Sequence, residues 1–578
     1  MSRHWPYVAI TALLAAVVAV WAIPHLGDSS VIEPETGLQM GSELLHVVPG
    51  STHVLIQGND LLGISLAIHI DGLAAQVLLL AVGVGLLVQI YSTTYLGHHP
   101  RYRSYALIII LFLLGMITVV AADDLFVLLI GWEVMGVCSY LLIGHEWQTP
   151  AARAGAAKAF LMTRIADLGL LVGILVIGQT YGTYRISEVL LQGPKNSTAI
   201  GLLVLVAVVG KSAQFPLQSW LPDAMPGPTP ITALIHAATM VAAGVYLVAR
   251  LLPILADSSI VMDLLAVIAA ITMLLGALFA LAQDDLKRAL AWSTVSQLAF
   301  MFAALATGDA GAGTDHLISH GAFKALLFLG CGCLMHAVGS SALSAMGGLR
   351  RAMPTTFWSM TVGFAALAGV IPTVGFFSKD SVLESLHVAT GGGGPLGSVF
   401  AYGLFAVALL TSLLTAAYAT RLWLVTFFGP AVDGHESSRA MTVPVVILAV
   451  ATLALSIGQP FHLGIAVLST AVAALGVGFV VLRWRSGGGL DVNAPRLADG
   501  LGLDSPYSRW IPAAMRGVST VVVDIDRDGV DAYPRASAAA AGFASQGLDL
   551  FQSRNVQRYV TLIAAGVMVL TAAAVIWT

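Results

Sequence analysis

The feature that most constrains this chain is the recurrence, along almost its whole length, of apolar stretches about 20 residues long, enough for an α-helix to cross roughly 30 Å of hydrocarbon. Residues 105–121 and 401–415 are apolar on every face, whereas a barrel would show short alternating strands, so helices are the spanning elements. With 57% hydrophobic residues, 10% charged residues and a mean hydropathy of +0.87, the chain lies far from soluble composition. The expected fold is an all-α, polytopic membrane helical bundle.

About fifteen crossings are expected, centred near residues 15, 82, 113, 134, 170, 207, 241, 271, 298, 327, 366, 412, 451, 472 and 568. Arg and Lys in short loops mark the cytoplasmic side. Arg101 and Arg103, Arg153 and Lys158, Lys287 and Arg288, Arg350 and Arg351, and Arg483 and Arg485 all fall on one side of this count. The N-terminus is therefore expected inside, the C-terminus outside, and the acidic loop at 28–60 outside. The apolar helix at 7–23 is followed by no small-residue cleavage site and reads as a retained span rather than a secretory signal.

Several chemistries find no support. No basic stripe suggests nucleic acid. Cys138, Cys331 and Cys333 have neither C-x-x-C nor metal-ligand spacing. No dinucleotide fingerprint, phosphate loop or iron-sulfur cysteine set is present, so no redox cofactor is expected in this chain.

Ionisable residues inside apolar segments are costly and therefore informative. Glu133 occupies the middle of a span, and Lys211 ends an apolar run just before a segment punctuated by Pro216, Pro222, Pro226, Pro228 and Pro230. Prolines free backbone groups, and irregular backbone is tolerated at membrane depth only within protein or beside water. Glu133 is the expected partner of Lys211, and moving a carboxylate toward or away from a buried ammonium changes its hold on a proton. The plainer readings are a carboxylate that only fixes helix packing and a lysine that snorkels to the interface. Arg164 and Asp167, one turn apart, are expected to form a local ion pair.

Thr232, His236 and Thr239 fall at i, i+4 and i+7, a polar stripe along which His236 is either a proton carrier or a packed core histidine. His316, His320 and Lys324 repeat every four residues on one helical face, steps of about 6 Å that need bridging water for any proton path. Zinc is the rival for the histidines, but no carboxylate stands at matching spacing. Lys379, beside Asp380, follows a helix break expected at Pro372 and Gly375. Two interrupted segments, one ending in Lys211 and one leading to Lys379, suggest two inverted-repeat-like halves. The expected organisation is N-terminal spans and outer loop at 1–104, half-channels at 105–255 and 256–430, peripheral spans at 431–485, and a lateral segment with an anchoring helix at 486–578.

Gly-Trp-Glu-Val-Met-Gly-Val-Cys-Ser-Tyr-Leu-Leu-Ile-Gly at 131–144, Gly-Lys-Ser-Ala-Gln-Phe-Pro-Leu-Gln-Ser-Trp-Leu-Pro-Asp-Ala-Met at 210–225, the 227–240 segment with His236, the histidine-lysine ladder and Phe-Phe-Ser-Lys-Asp at 376–380 occur in order. Together they resemble the antiporter-like subunits of respiratory complex I (NADH-quinone oxidoreductase), in particular subunit L, related to the homologous subunit of multisubunit Na+/H+ antiporters. The resemblance implies a proton-translocating module in a bacterial-type plasma membrane. Glu133 and Lys211 would form the charge pair of one half-channel, His236 and Lys324 the central connection, and Lys379 the exit-side group. It implies no cofactor here, with flavin, iron-sulfur clusters and quinone in partner subunits, further antiporter-like subunits as neighbours, and H+ as the transported ion. The alternatives within the same family are a subunit of a cation/proton antiporter or of an ion-driven bicarbonate-uptake system.

Two regions qualify the resemblance. Subunit L carries two spans before the region matching Asp60, and this chain shows one, at 7–23. The family's lateral helix and last anchor have a matching layout after Arg485, but Pro512 and Pro534 argue against one unbroken lateral helix. A solvated linker is the other reading of that stretch.

Overall fold

Four of the long helices begin at an aspartate, which explains where their apolar runs start to coil. Asp71, Asp124, Asp285 and Asp309 each turn a carboxylate back to accept from the backbone N–H of Ala74, Phe126, Arg288 and Ala312, at 2.8 or 2.9 Å. These are N–H groups that the first turn of a helix leaves without a partner. The computed structural model describes residues 4–27, 52–56 and 64–577, apart from 238, 393, 488, 491, 493, 553 and 554. Most of the acidic loop expected at 28–60 lies outside the described residues.

The chain divides into two compact units, Met1–Leu501 and Gly502–Thr578. The first opens with α1 (Trp5–Ala22), followed by a two-stranded antiparallel ribbon of β1 (Thr52–Ile56) and β2 (Leu66–His69). Then come α2 (Gly72–Tyr95), α3 (Tyr102–Ala121), α4 (Leu125–Ile143), α5 (Pro150–Tyr181), α6 (Ile186–Leu191) and α7 (Ser197–Lys211). Next are α8 (Trp220–Asp223), α9 (Thr229–Ala237), α10 (Met240–Leu255), α11 (Ser259–Ala282), α12 (Leu286–Ala306) and α13 (Ala310–Val338). The unit ends with α14 (Pro354–Ala368), α15 (Val374–Thr390), α16 (Ser398–Phe428), α17 (Arg439–Ala454), α18 (Leu463–Arg485) and α19 (Pro495–Ala498). α13 runs through the centre, packed on α9, α12, α14, α15 and α17, while α5 packs on α4 and α7.

Among the described residues, twelve helical segments are long and apolar enough to cross a membrane. All fifteen expected centres fall within helices. Three of them, near 207, 366 and 451, fall on α7, α14 and α17, of 15, 15 and 16 residues. At about 1.5 Å per residue such helices are too short to cross alone. α7 and α14 stop early because the chain breaks after them.

The breaks differ in detail from the expectation. Pro216 lies in irregular backbone between α7 and α8, but Pro222 is inside the single turn of α8. Pro372 lies between α14 and α15. Gly375 does not: it sits in the first turn of α15, where a Cβ would collide with the Ala366 carbonyl oxygen, so it allows close helix approach rather than a break. The stripe expected over Thr232, His236 and Thr239 is cut. α9 ends at Ala237 and Thr239 has φ −134° and ψ −107°, so only Thr232 and His236 share a helix. The Thr239 hydroxyl turns back to the Leu234 carbonyl at 2.7 Å.

Loop contacts sort into two sets that agree with the alternation of spans. In one, Arg101 bonds Gln148 at 2.7 Å, and Asp223 accepts from Lys158 and Arg288 at 2.6 and 3.3 Å. In the other, Arg185 bonds Asp123 at 3.3 Å and the Gly397 N–H bonds Asp263 at 3.0 Å. Lys287 departs from its expected place in a basic loop. It is 4% exposed and donates to the Met225 and Gly227 carbonyls at 2.7 and 2.6 Å, acceptors within the proline-rich connection.

The second unit contains α20 (Ile511–Ile525), a π-helical turn at Asp526–Val530, α21 (Ala532–Phe551) and the apolar α22 (Val556–Trp577). Pro512 and Pro534 each follow a π-helical turn, at Pro506–Trp510 and Asp526–Val530, where the wider turn accommodates the missing N–H. The helical backbone runs on through these turns, with αR conformation at Trp510, Ile525, Asp526 and Asp531, so the prolines loosen the stretch without breaking it.

Candidate functional site

The site is built from α4, α5 and α7 on one flank and from α9, α12, α13 and α15 in the interior. Lys211, His236, His316, His320 and Lys324 are at most 1% exposed and Lys379 is 4% exposed, so the polar series lies inside protein rather than against lipid. Removal of charge from water has to be compensated by partners, and these differ along the series.

At the flank the expected pairing is exchanged. Lys211 donates to an Asp167 oxygen at 3.3 Å and to the Trp132 carbonyl at 3.2 Å, with its ammonium 4.9 Å from the Trp132 ring centroid. The Trp132 indole N–H fixes the other Asp167 oxygen at 2.6 Å. Glu133 pairs instead with Arg164, and both side chains are about 30% exposed. The correction has a geometric cause. Glu133 and Trp132 are consecutive on α4 and point about 100° apart, so the residue facing Lys211 is the tryptophan and Glu133 turns outward. Arg164 and Asp167 likewise diverge on α5, each to its own partner. Gly136 keeps the two pairs close: a Cβ there would lie 3.2 Å from Arg164 Nη2 and 3.4 Å from Lys211 Nζ.

Inside the bundle, lysines are held by neutral oxygens. Lys324 donates to the Leu290 carbonyl at 3.1 Å and to Ser293 Oγ at 2.7 Å, and Ser293 in turn meets the Tyr418 hydroxyl at 2.8 Å. Lys379 donates to the Leu367 carbonyl, the last turn of α14 before the break. An amine held this way can release its proton without leaving an unpaired carboxylate behind.

The histidines bridge these lysines. His316 and His320 have ring centroids 6.3 Å apart on α13, and His316 Nδ1 lies 3.0 Å from Ser378 Oγ, the residue before Lys379. His236 lies against Phe328, one turn beyond Lys324, at 4.7 Å. Among the described residues, no ring nitrogen of His236 or His320 and neither amide atom of Gln297 has a hydrogen-bond partner. Buried polar atoms of this kind are normally satisfied by protein or ordered water. Asp380 is fully buried and accepts from Ser469 at 3.3 Å. Thr232 is occupied by its own helix, donating to the Thr229 carbonyl at 2.7 Å. Among the described residues no group of His, Cys, Asp and Glu has the geometry of a metal site.

Residues 122–429 of the 578 match the model described as NADH:quinone oxidoreductase/Mrp antiporter, transmembrane region. The chain belongs to this family. Residues 56–106 also match the N-terminal region of chain 5 of NADH-ubiquinone oxidoreductase (complex I). NADH-quinone oxidoreductase subunit L of Mycobacterium tuberculosis is 44% identical over 404 residues, 68% of this chain and 63% of that protein. The chloroplastic NAD(P)H-quinone oxidoreductase subunit 5 of Nephroselmis olivacea is 32% identical over 571 residues, 88% of this chain and 86% of that one. A solved Mrp complex from Dietzia sp. DQ12-45-1b superposes with a TM-score of 0.70 and 28% identity, covering 100% of this chain and 62% of that chain. The match thus spans less than two thirds of the mycobacterial subunit's length.

Sequence reasoning missed Asp167 as the counter-ion of Lys211, missed the Trp132 carbonyl and Ser293 as acceptors for Lys211 and Lys324, and missed Ser378 and Tyr418 as the partners of His316 and Ser293. Ser293 left a signal, since Ser293, Thr294, Ser296 and Gln297 form a polar run inside a fully buried span.

Proposed function

We propose that this chain is the proton-translocating membrane subunit of an NADH-quinone oxidoreductase-type assembly. Protons pass along Lys211, His236, Lys324, His320, His316 and Lys379 with water between them, and Glu133, Arg164 and Asp167 set the charge on Lys211. The reading rests on one observation above all: a buried row of amines and imidazoles in which the interior lysines are held by neutral oxygens and His316 is joined to the Lys379 helix through Ser378. Energy arrives from partner subunits that carry the flavin, iron-sulfur clusters and quinone. The flank with Glu133 and Arg164 half-exposed faces another antiporter-like subunit, because an ion pair so exposed in the middle of a span is better covered by protein than by lipid. The face carrying Arg101, Lys158 and Arg288 is cytoplasmic.

A second reading, a subunit of a cation/proton antiporter, is favoured by the Mrp complex, whose structure covers the whole of this chain. Purification of the native assembly, mass spectrometry of its subunits and reconstitution in vesicles separates the two. Proton uptake driven by oxidation of a reduced nicotinamide supports the first reading. Exchange of H+ for Na+ with no electron donor supports the second. Vesicles that move no protons under either drive overturn both.

A further inference from the structure

A second group of titratable side chains lies outside this row. His99, in the connection between α2 and α3, is half-buried, and His145, in the turn after α4, is 6% exposed. His99 Nδ1 and His145 Nε2 are 3.1 Å apart. The Arg101 backbone N–H also donates to His99 Nδ1, at 3.3 Å. A peptide N–H can only donate, so His99 Nδ1 is the acceptor of both contacts, its own proton sits on Nε2, and His145 Nε2–H is the donor. One lone pair in the couple, on His145 Nδ1, is left to take an additional proton.

The position of the pair gives that capacity a use. A cavity of about 350 Å³ is lined among others by Tyr95, Glu146, Thr229, Asp285 and Lys287, with the two histidines themselves outside its wall. Both histidine-bearing segments supply wall residues: Tyr95 stands four residues before His99, and Glu146 follows His145 directly. On the inner wall, Tyr95 meets the Thr229 hydroxyl at 3.1 Å, and Thr229 opens α9. His236 lies seven residues further along that helix, a rise of about 10 Å.

We propose that His99 and His145 are a proton-collecting pair at the mouth of this cavity. The proposal deepens the transport reading above and rests on it. The couple takes one proton on His145 Nδ1, holds the resulting imidazolium by its Nε2–H bond to His99 Nδ1, and returns the same proton to a carboxylate or water at the cavity wall, which restores both starting tautomers. Bonds and charge balance, since each uptake is matched by one release. The Arg101 N–H and the Tyr105 ring, 5.2 Å from His145, contact the pair, and Glu146 and His98 are its titratable neighbours along the chain. His4 on α1 bonds the Gly97 carbonyl of the same connection at 2.9 Å, and α5, packed on the His145 turn, carries Arg153 and Lys158 near that end.

Proton supply makes the assignment measurable. Diffusion delivers reactants at about 10⁹ to 10¹⁰ M⁻¹ s⁻¹ at most, so at pH 8 a single site is protonated from water on the order of 10 to 100 times per second. Enzyme turnover is typically about 1 to 1000 per second, so supply limits flux at pH 8 and not at pH 6.

The assembled complex, reconstituted in vesicles containing a pH-sensitive dye, is compared with its His99→Gln/His145→Gln variant at both pH values. The expected result is proton uptake slowed about fivefold at pH 8, unchanged at pH 6, and restored at pH 8 by added imidazole as a mobile carrier. Equal losses at both pH values without rescue, or no loss at either, overturns the proposal while leaving the transport reading intact. Wild-type vesicles that take up no protons overturn both. Should the buried His145→Gln change prevent assembly, His99→Gln alone, at the half-buried ring, must show the same pH-selective loss for the proposal to stand.

Discussion

Lys211 is bound to Asp167, 3.3 Å away on α5, and the carboxylate of Glu133 belongs to Arg164. Two ion pairs thus stand side by side between α4, α5 and α7, one fully buried and one half-exposed, divided only by Gly136. A proton arriving at either pair alters the charge seen by the other. In a medium with few counter-ions that influence is larger than in water, since the interaction scales inversely with the effective dielectric constant.

Asp167→Asn is expected to be the most damaging single change in this cluster. It leaves Lys211 charged and buried without a counter-ion, a loss of about 3–5 kcal/mol where a buried pair is broken on one side. Proton translocation should fall more than tenfold. Lys211→Ala combined with Asp167→Asn should be no worse than the more damaging of the two single changes, because both act on one interaction. A double variant whose losses simply add, measured as proton uptake per electron pair, would separate the two residues.

Glu133→Gln should lower proton pumping with the assembly intact, but at a smaller cost in stability than Asp167→Asn. Its pair is about 30% exposed on both sides, whereas the Lys211 and Asp167 side chains are at most 2% exposed, so this chain buries less of it. Thermal unfolding of the detergent-solubilised complex tests the order. A larger drop in midpoint for Glu133→Gln than for Asp167→Asn would contradict the burial difference.

How far the sequence carried the site follows from what each signal measures. Spacing along one helix is legible, so the ladder of His316, His320 and Lys324 stands on α13 as expected. Which groups meet across helices is not, because it depends on helix rotation, and a change of one residue on α4 swaps Glu133 for Trp132 as the neighbour of Lys211. Prolines marked the two interrupted helices, at Pro216 and Pro372. The irregular backbone at Thr239 contains no proline or glycine, and nothing in the α9 stripe signals its interruption there. The burial of Lys287 was hidden for a related reason: loop charge statistics do not know that carbonyls in the proline-rich connection wait for a donor.

Ser293→Ala and Ser378→Ala test the interior of the row. Ser293 supplies one of the two oxygens on Lys324, and Ser378 joins His316 to the Lys379 helix. Loss of a hydrogen bond to a charged group is worth about 1.5–3 kcal/mol and of a neutral one about 0.5–1.5 kcal/mol, so Ser293→Ala should slow translocation on the order of tenfold to a hundredfold and Ser378→Ala on the order of twofold to tenfold. Substrate oxidation in leaky vesicles should change less than proton uptake. Equal losses in both measurements would place these serines in assembly rather than in the path.

Asp71 offers a prediction about pH, since it precedes the α2 span and accepts from both terminal guanidinium nitrogens of Arg250, one at 2.9 Å. Burial pushes its carboxyl up, but the charge and hydrogen bonds of Arg250, with the Ala74 N–H, outweigh this and hold it below the ordinary carboxylate value. A depressed folded value means that the unfolded chain takes up protons first as pH falls. The stabilisation is therefore complete above the unfolded value of about 4 and is lost as pH drops through the lower folded value. Asp71→Asn should lower the thermal midpoint of the complex at pH 7, and the gap to wild type should close only below about pH 4. A gap that already narrows between pH 7 and pH 5 would mean that another group, such as the neighbouring His69, governs this end of α2.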